Sequence, residues 1–300
     1  VESINLGKAS RMSDAQGRYI EFCKSTFTNL NLTGLSILLD CANGATYSVA
    51  PKVFSELGAT VKTISSSPDG ININQNCGST SPENLQEEIL KGSYDIGIAF
   101  DGDGDRILII NSDGEILDGD DILYILSKKI SDDSGVVGTL MTNKSLELHF
   151  KENGIKFERA DVGDKYVLHR LIDKSWQLGG EPSGHIICLD SAPTGDAIIA
   201  ALKILDAIKS DNFSLNQSLE EFQKFPQTLI NLKVDNPDKV IISDKFWQRV
   251  TDIELKLGED GRVLIRPSGT EPLIRIMVES KDPNLSENLC NSLADLAQTI

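Results

Sequence analysis

Residues 94–110 read Tyr-Asp-Ile-Gly-Ile-Ala-Phe-Asp-Gly-Asp-Gly-Asp-Arg-Ile-Leu-Ile-Ile. The run 94–100 is short, mostly apolar and bounded by turn residues, which is the pattern of a buried strand. It empties into Asp101-Gly102-Asp103-Gly104-Asp105-Arg106, and residues 106–110 return in hairpin fashion. Working outward, 35–39 reads as a strand, 49–57 as a helix ended by Gly58, and 60–64 as the next strand. An amphipathic helix from Asp120 to about residue 130 completes the series. Strands alternating with helices argue for α/β layers built from βαβ units. In open sheets of that kind ligands bind beyond the carboxyl ends of the strands, so the acidic loop lies where a site is expected.

Further on, the turn-rich Ser131-Asp132-Asp133-Ser134-Gly135 marks a boundary. A second α/β series follows, with strands at 136–140, near 157 and at 186–189, and helices at 166–172 and 194–208. After Phe225-Pro226 the order becomes strand (228–234), helix (243–257), strand pair (262–265 and 273–278) and helix (285–300), a small α+β domain. The expected division is therefore 1–28, 29–133, 134–225 and 226–300. Residues 1–28 carry helical spacing with too little apolar surface for a core, and the chain starts without Met. They read as a connector from a preceding domain.

The bulk numbers narrow the function. A chain of 300 residues, 40% hydrophobic and 25% charged, has room for about two or three globular domains. A net charge of -16 repels nucleic-acid phosphates over most of the surface, so no nucleic-acid partner is expected and any phosphate site must be a local exception. Cys23, Cys41, Cys77, Cys188 and Cys290 form no CxxC pair, and three histidines make no zinc-like cluster, so reduced thiols and a cytoplasmic location are the simpler reading. No apolar run approaches the roughly 18 residues of a membrane span, so no membrane association is expected.

Three loops carry chemistry. Asp101, Asp103 and Asp105 stand on alternate residues, with glycines that let the backbone wrap a small ion. Hard oxygen ligands suit Mg²⁺, and a plain polar turn is the alternative. An EF-hand is excluded, because its sixth position would be Arg106 and its twelfth Ser112. Arg266-Pro267-Ser268-Gly269-Thr270-Glu271-Pro272 joins two strands and offers a guanidinium, two hydroxyls and backbone N–H groups about a glycine. That is the inventory of a phosphate nest, with Arg275 as a second fork, although a tight hairpin with a surface arginine has the same composition. Glu181-Pro182-Ser183-Gly184-His185 combines an acceptor, a hydroxyl and an imidazole, which suits vicinal sugar hydroxyls. There is no Walker loop, no dinucleotide fingerprint and no GxSxG elbow.

In this order, and together with Asp40-Cys41-Ala42-Asn43-Gly44-Ala45-Thr46-Tyr47, Val162-Gly163-Asp164-Lys165-Tyr166 and Pro193-Thr194-Gly195-Asp196, the loops resemble the α-D-phosphohexomutase family, within it the phosphoglucosamine mutases. The resemblance covers essentially the whole chain. It implies two α/β domains and a small α+β C-terminal domain, the second to fourth of the family's four, with 1–28 as the end of the first. It implies that Asp101, Asp103 and Asp105 bind Mg²⁺, that Arg106 supports the phosphoryl group in transfer and that His185 is a candidate proton shuttle. Glu181 and Ser183 would hold sugar hydroxyls. Arg266, Ser268, Gly269, Thr270 and Arg275 would clamp the phosphate that is not reacting.

The implied reaction interconverts glucosamine 6-phosphate and glucosamine 1-phosphate through a phosphoserine and a bisphosphate, supplying UDP-N-acetylglucosamine and cell-wall synthesis. The phosphorylated hexosamine and its bisphosphate are the implied partners, and a homodimer is compatible with the resemblance. The family's serine sits in a Ser-His-Asn-Pro-type loop of its first domain, which does not occur within these 300 residues, so this chain is expected to be inactive as it stands. Pro182 replaces the usual Gln, Asn or Met of the sugar loop, which keeps a phosphomannomutase or phosphoglucomutase open. A phosphosugar-binding module without chemistry and a magnesium-dependent phosphatase with an aspartyl nucleophile also stay open.

Overall fold

A computed structural model describes residues 10–27, 29–211, 214–234, 236–267 and 272–300. Two compact units divide the chain, Val1–Met141 with Ile155–Glu221, and Thr142–Gly154 with Phe222–Ile300.

The first unit opens with α1 (Ala15–Ser25), then β1 (Ser36–Asp40), α2 (Ala50–Glu56), β2 (Thr60–Ile64), α3 (Glu83–Lys91), β3 (Ile96–Phe100), β4 (Ile107–Asn111) and β5 (Ile116–Leu117). The strands form one sheet in the order β2-β1-β3-β4-β5. β1 runs parallel to both β2 and β3, and β4 turns back antiparallel to β3. Every residue of β3 is buried, as its unbroken apolar run predicts for a central strand covered on both faces. Leu85 and Ile89, four apart on α3, pack with Leu38, Ala99 and Ile110 of the sheet. In α1, Ile20 and Cys23, three residues apart, are buried, and the helix packs on α2. Two apolar side chains on one face suffice because α2 supplies the rest of the surface.

Next come α4 (Gly119–Ser127), β6 (Gly135–Thr139), α5 (Lys144–Glu152), β7 (Lys156–Ala160), α6 (Asp164–Lys174), β8 (Leu178–Gly180), β9 (Ile186–Cys188), α7 (Ala197–Asp211) and α8 (Leu215–Glu221), of which α5 belongs to the second unit. The second sheet has the order β7-β6-β8-β9, parallel except for β9. α4 starts on a reciprocal capping box of Asp118 and Asp121, and all nine of its residues are buried, since it packs on both α7 and β8. The first and second sheets share one compact unit.

The second unit holds α5 and, beyond it, β10 (Gln227–Lys233), α9 (Pro237–Ile241), α10 (Asp244–Leu257), β11 (Gly261–Pro267), β12 (Leu273–Ser280) and α11 (Pro283–Gln298). β12 is the middle strand of an antiparallel sheet, β10-β12-β11. Ile274, Ile276 and Val278 face a core built with Phe246, Val250 and Ile253 of α10 and Leu289 and Leu293 of α11. That core follows from period 2 on the strand meeting period 3.6 on the helices. Among the described residues, no helix is long and apolar enough to cross a membrane.

Candidate functional site

β3 ends at Phe100 and the chain turns at once through the acidic loop. Gly104 adopts φ +80°, a conformation that a side chain would strain. Asp101 folds back on the loop: its Oδ1 accepts the N–H of Gly104 at 3.1 Å and of Arg106 at 3.0 Å. The two glycine carbonyls are drawn outward, Gly102 O accepting from Ala45 N–H at 2.8 Å and Gly104 O from Ala197 N–H at 3.0 Å. The three carboxylates converge, with one oxygen of each lying within 4.8 Å of the others. Asp101 is buried, Asp105 half-buried and Asp103 exposed.

Charge in this loop is unbalanced. Burial pushes the Asp101 carboxyl above its ordinary value, and the neighbouring Asp105 charge pushes the same way. Arg106 Nε lies 3.9 Å from Asp101 and 3.8 Å from Asp105, too far for a hydrogen bond. Asp105 Oδ1 is buried with no hydrogen-bond partner. One guanidinium does not offset three carboxylates. An all-oxygen donor set with negative excess and an unpartnered buried oxygen fits a hard divalent cation.

The loop 181–185 joins β8 to β9 and lies directly against the acidic loop. Ile107 N–H donates to Gly184 O at 3.0 Å, and Arg106 and His185 form an isolated antiparallel bridge. A Cβ on Gly184 would overlap the Ile107 carbonyl, and φ there is +88°, so the approach of the two backbones requires glycine. His185 is 3% exposed, and its Nδ1 sits 3.1 Å from Asp105 Oδ2. Its Nε2 is buried without a hydrogen bond, against Gly195. Glu181 is also buried, with Oε1 accepting from Gly163 N–H at 2.9 Å. Ser183 is exposed.

In the second unit the antiparallel register sets Arg266 of β11 opposite Arg275 of β12. Four residues back on the same face, Arg262 stands opposite Glu279 and pairs with it at 2.7 Å. Opposite charges stabilise such a cross-strand pair, whereas two guanidinium groups directly opposed repel. Neither Arg266 nor Arg275 makes an ion pair with a described residue, and the like-charge pair lies at the end of the strands that leads into residues 268–271. This arrangement suits an anion. Ser268, Gly269 and Thr270 lie outside the described residues.

Known proteins match the chain from end to end. The phosphoglucomutase/phosphomannomutase α/β/α domain II matches residues 17–114, domain III residues 118–225 and the C-terminal domain residues 229–296. A phosphoglucosamine mutase of Pseudomonas entomophila (strain L48) is 50% identical over 307 residues, which cover 100% of this chain and 69% of that protein. The chain belongs to the phosphoglucomutase/phosphomannomutase family. A phosphoglucosamine mutase of Legionella pneumophila (strain Corby) is likewise 50% identical, over 98% of this chain and 66% of the relative. The chain thus spans about two thirds of the length of such family members.

Solved family structures share the fold at low identity. N-acetylphosphoglucosamine mutase of Aspergillus fumigatus, in complex with GlcNAc-6P and magnesium, superposes with a TM-score of 0.79 at 18% identity, covering 95% of this chain and 65% of that one. A phosphoglucomutase/phosphomannomutase family protein of Burkholderia thailandensis gives 0.78 at 23% identity, covering 94% and 64%. The mixed α/β architecture expected from the sequence is therefore the family's own.

Of the residues expected from sequence, the structure brings Asp101, Asp103, Asp105, Arg106 and His185 together and sets Glu181 and Ser183 on the adjoining loop. Further residues that build the site have no role assigned from the sequence. Gly163, whose N–H holds Glu181, and Ala45 and Ala197, whose N–H groups hold the acidic loop, act through backbone atoms and leave no side-chain signal. Asp196, which falls inside the run 194–208 read as helix, carries no assigned role in the sequence, although an Asp just before a helical run is an N-cap signature. Tyr19, whose phenol donates to both Asp196 oxygens at 2.9 and 2.8 Å, has no such signature.

Proposed function

We propose that this chain carries the metal, sugar and phosphate loops of a phosphoglucosamine mutase, interconverting glucosamine 6-phosphate and glucosamine 1-phosphate through a phosphoserine and a bisphosphate. The carrying observation is the backbone pairing of the acidic loop with the loop 181–185, which puts three carboxylates, a guanidinium and an imidazole around one point. The two phosphoglucosamine mutases at 50% identity support the same reading.

Asp101, Asp103 and Asp105 would hold Mg²⁺, which supplies positive charge to the transferring phosphoryl group. Arg106 steadies that group from beside the carboxylates, and His185, fixed through Nδ1 on Asp105, is the proton shuttle. Glu181 and Ser183 orient the sugar. Arg266 and Arg275, with Ser268, Gly269 and Thr270, bind the phosphate that is not being transferred. Because phosphoryl transfer is accelerated chiefly by positioning and charge stabilisation, this set needs only a phosphoserine as donor. The functional domains in this reading are 29–133 (metal), 134–225 (sugar) and 226–300 (phosphate), following a 1–28 connector. A cytoplasmic setting and supply of UDP-N-acetylglucosamine for the cell wall go with it.

The test is calorimetric titration of the chain with glucosamine 6-phosphate, glucose 6-phosphate and mannose 6-phosphate, with and without Mg²⁺. Tightest binding of the amino sugar phosphate, strengthened by Mg²⁺, is expected. Preference for glucose or mannose phosphate would reassign the substrate, and release of free phosphate would indicate a phosphatase.

A further inference from the structure

The first N–H groups of a helix have no carbonyl partner within it, so they are free to bind something else. Ala197, the first residue of α7, spends its N–H on Gly104 O at 3.0 Å. Ala45, the first residue of the short 3₁₀ turn 45–48, does the same for Gly102 O at 2.8 Å. Two helix starts thus grip the two glycine carbonyls of the acidic loop and leave the intervening carboxylates to converge. The grip on Gly102 is local to the first sheet. The grip on Gly104 comes from α7, over 90 residues on in the chain, and it is only as firm as the first turn of that helix.

One side chain fixes that turn. Asp196 Oδ1 accepts Ile198 N–H at 3.1 Å and Ile199 N–H at 3.0 Å, capping α7. The same carboxylate also accepts from the Tyr19 phenol of α1. Burial, together with the Asp196 charge, pushes the Tyr19 phenol far above its ordinary range, so it stays a donor throughout neutral pH. One residue earlier in the chain, Gly195 packs under the His185 ring, where a Cβ would collide with Cε1 and Nε2. The segment 195–197 therefore touches the imidazole, the acidic loop and α1 at once, and the imidazole itself rests on Asp105.

We propose that Asp196, anchored by Tyr19, is a positioning residue for the metal loop, acting through the Ala197 N–H on the Gly104 carbonyl. The proposal rests on the metal reading of Asp101, Asp103 and Asp105. It makes α1 a part of the metal centre's support even though no α1 atom need touch the ion.

The experiment measures Mn²⁺ affinity of the full chain by electron paramagnetic resonance of the unbound ion, well below the melting temperature, alongside thermal unfolding. Asp196→Ala is expected to weaken Mn²⁺ binding about 10-fold, the scale of a lost ligand-orienting contact. Asp196→Ser, which keeps a capping oxygen, should recover most of the affinity. Tyr19→Phe should lose affinity in the same direction but less. Ser243→Ala, which removes the cap of α10 in the second unit, should lower stability without moving Mn²⁺ affinity.

Unchanged affinity in both Asp196→Ala and Tyr19→Phe would overturn the proposal, as would a loss that Ser does not recover. If Asp196→Ala fails to fold, Tyr19→Phe and Asp196→Ser decide the question alone. Asp103→Asn separates the two readings. Loss of Mn²⁺ there, with none at Asp196 or Tyr19, sinks only the positioning role, whereas a parent chain that binds no Mn²⁺ overturns the metal reading and this proposal together.

Discussion

Gly184 and Gly154 both sit at positive φ, +88° and +71°, yet they differ in what surrounds them. A Cβ on Gly154 meets open space, while one on Gly184 overlaps the carbonyl of Ile107. Gly154→Ala should therefore cost only the backbone strain, about 1–2 kcal/mol. Gly184→Ala adds a collision between the backbone of the loop 181–185 and that of β4 and should cost clearly more, about 3 kcal/mol. Chemical denaturation of both variants measures the difference. Asp103 offers the opposite case, because it is exposed. Asp103→Asn should leave stability within about 0.5 kcal/mol of the parent while weakening divalent-cation binding; unchanged metal affinity would remove the metal assignment. Arg266→Ala should weaken binding of a phosphosugar and leave the weak binding of unphosphorylated glucosamine unchanged, and it should not destabilise the sheet, since it relieves the repulsion with Arg275. Equal losses for both ligands would mean that the pair reads something other than phosphate.

Among elements, strands were easier to read than charged helices. The run 60–64 in the sequence coincides with β2, and the apolar composition of 94–100 marks the central β3. α3 and α5 leave little trace in the sequence because each carries only a thin apolar stripe, Leu85 and Ile89 in one and Leu146 and Phe150 in the other, among charged residues. Such helices are stabilised by the sheet or core they lie on rather than by their own pattern. The second unit's sheet gives a sharper test of element energetics. Glu279 is fully buried, and its oxygens accept from Arg262 at 2.7 and 3.1 Å and from Lys144 N–H at 2.9 Å. Removing Arg262 would strand a buried carboxylate, so Arg262→Ala should lower stability by about 3 kcal/mol. Arg262→Met combined with Glu279→Leu should recover most of that loss, as measured by guanidinium denaturation. A double variant no better than the single one would show that the pair contributes more than its mutual neutralisation.

At the scale of the whole chain, all five cysteines are free and buried, in keeping with the reduced thiols expected from their spacing. An ordinary thiol titrates near 9.0, and burial pushes Cys23, Cys41 and Cys188 up to about 12 and Cys290 to about 11. Since the folded values are raised, the stability from keeping these thiols neutral is fully present below pH 9.0 and is lost as pH rises toward 12. Native protein at pH 8 should therefore resist iodoacetamide, with all five thiols alkylated in denaturant. Activity is a second whole-chain property. A polypeptide of these 300 residues contains no Ser-His-Asn-Pro stretch and should bind phosphosugar with negligible turnover. A coupled assay showing turnover near 10 per second, about the enzyme median, would require a nucleophile among serines now assigned to ligand binding, Ser183 or Ser268. The sequence by itself determined the α/β alternation, the acidic loop at a strand end and the family, because burial pattern and turn chemistry are local properties of the chain. Only the tertiary structure decided that His185 lies on Asp105, 80 residues away, that Tyr19 anchors Asp196 across 177 residues, and that Arg266 faces Arg275. Those contacts depend on the packing of distant elements and on backbone N–H groups that every residue but proline carries, so no side-chain pattern announces them.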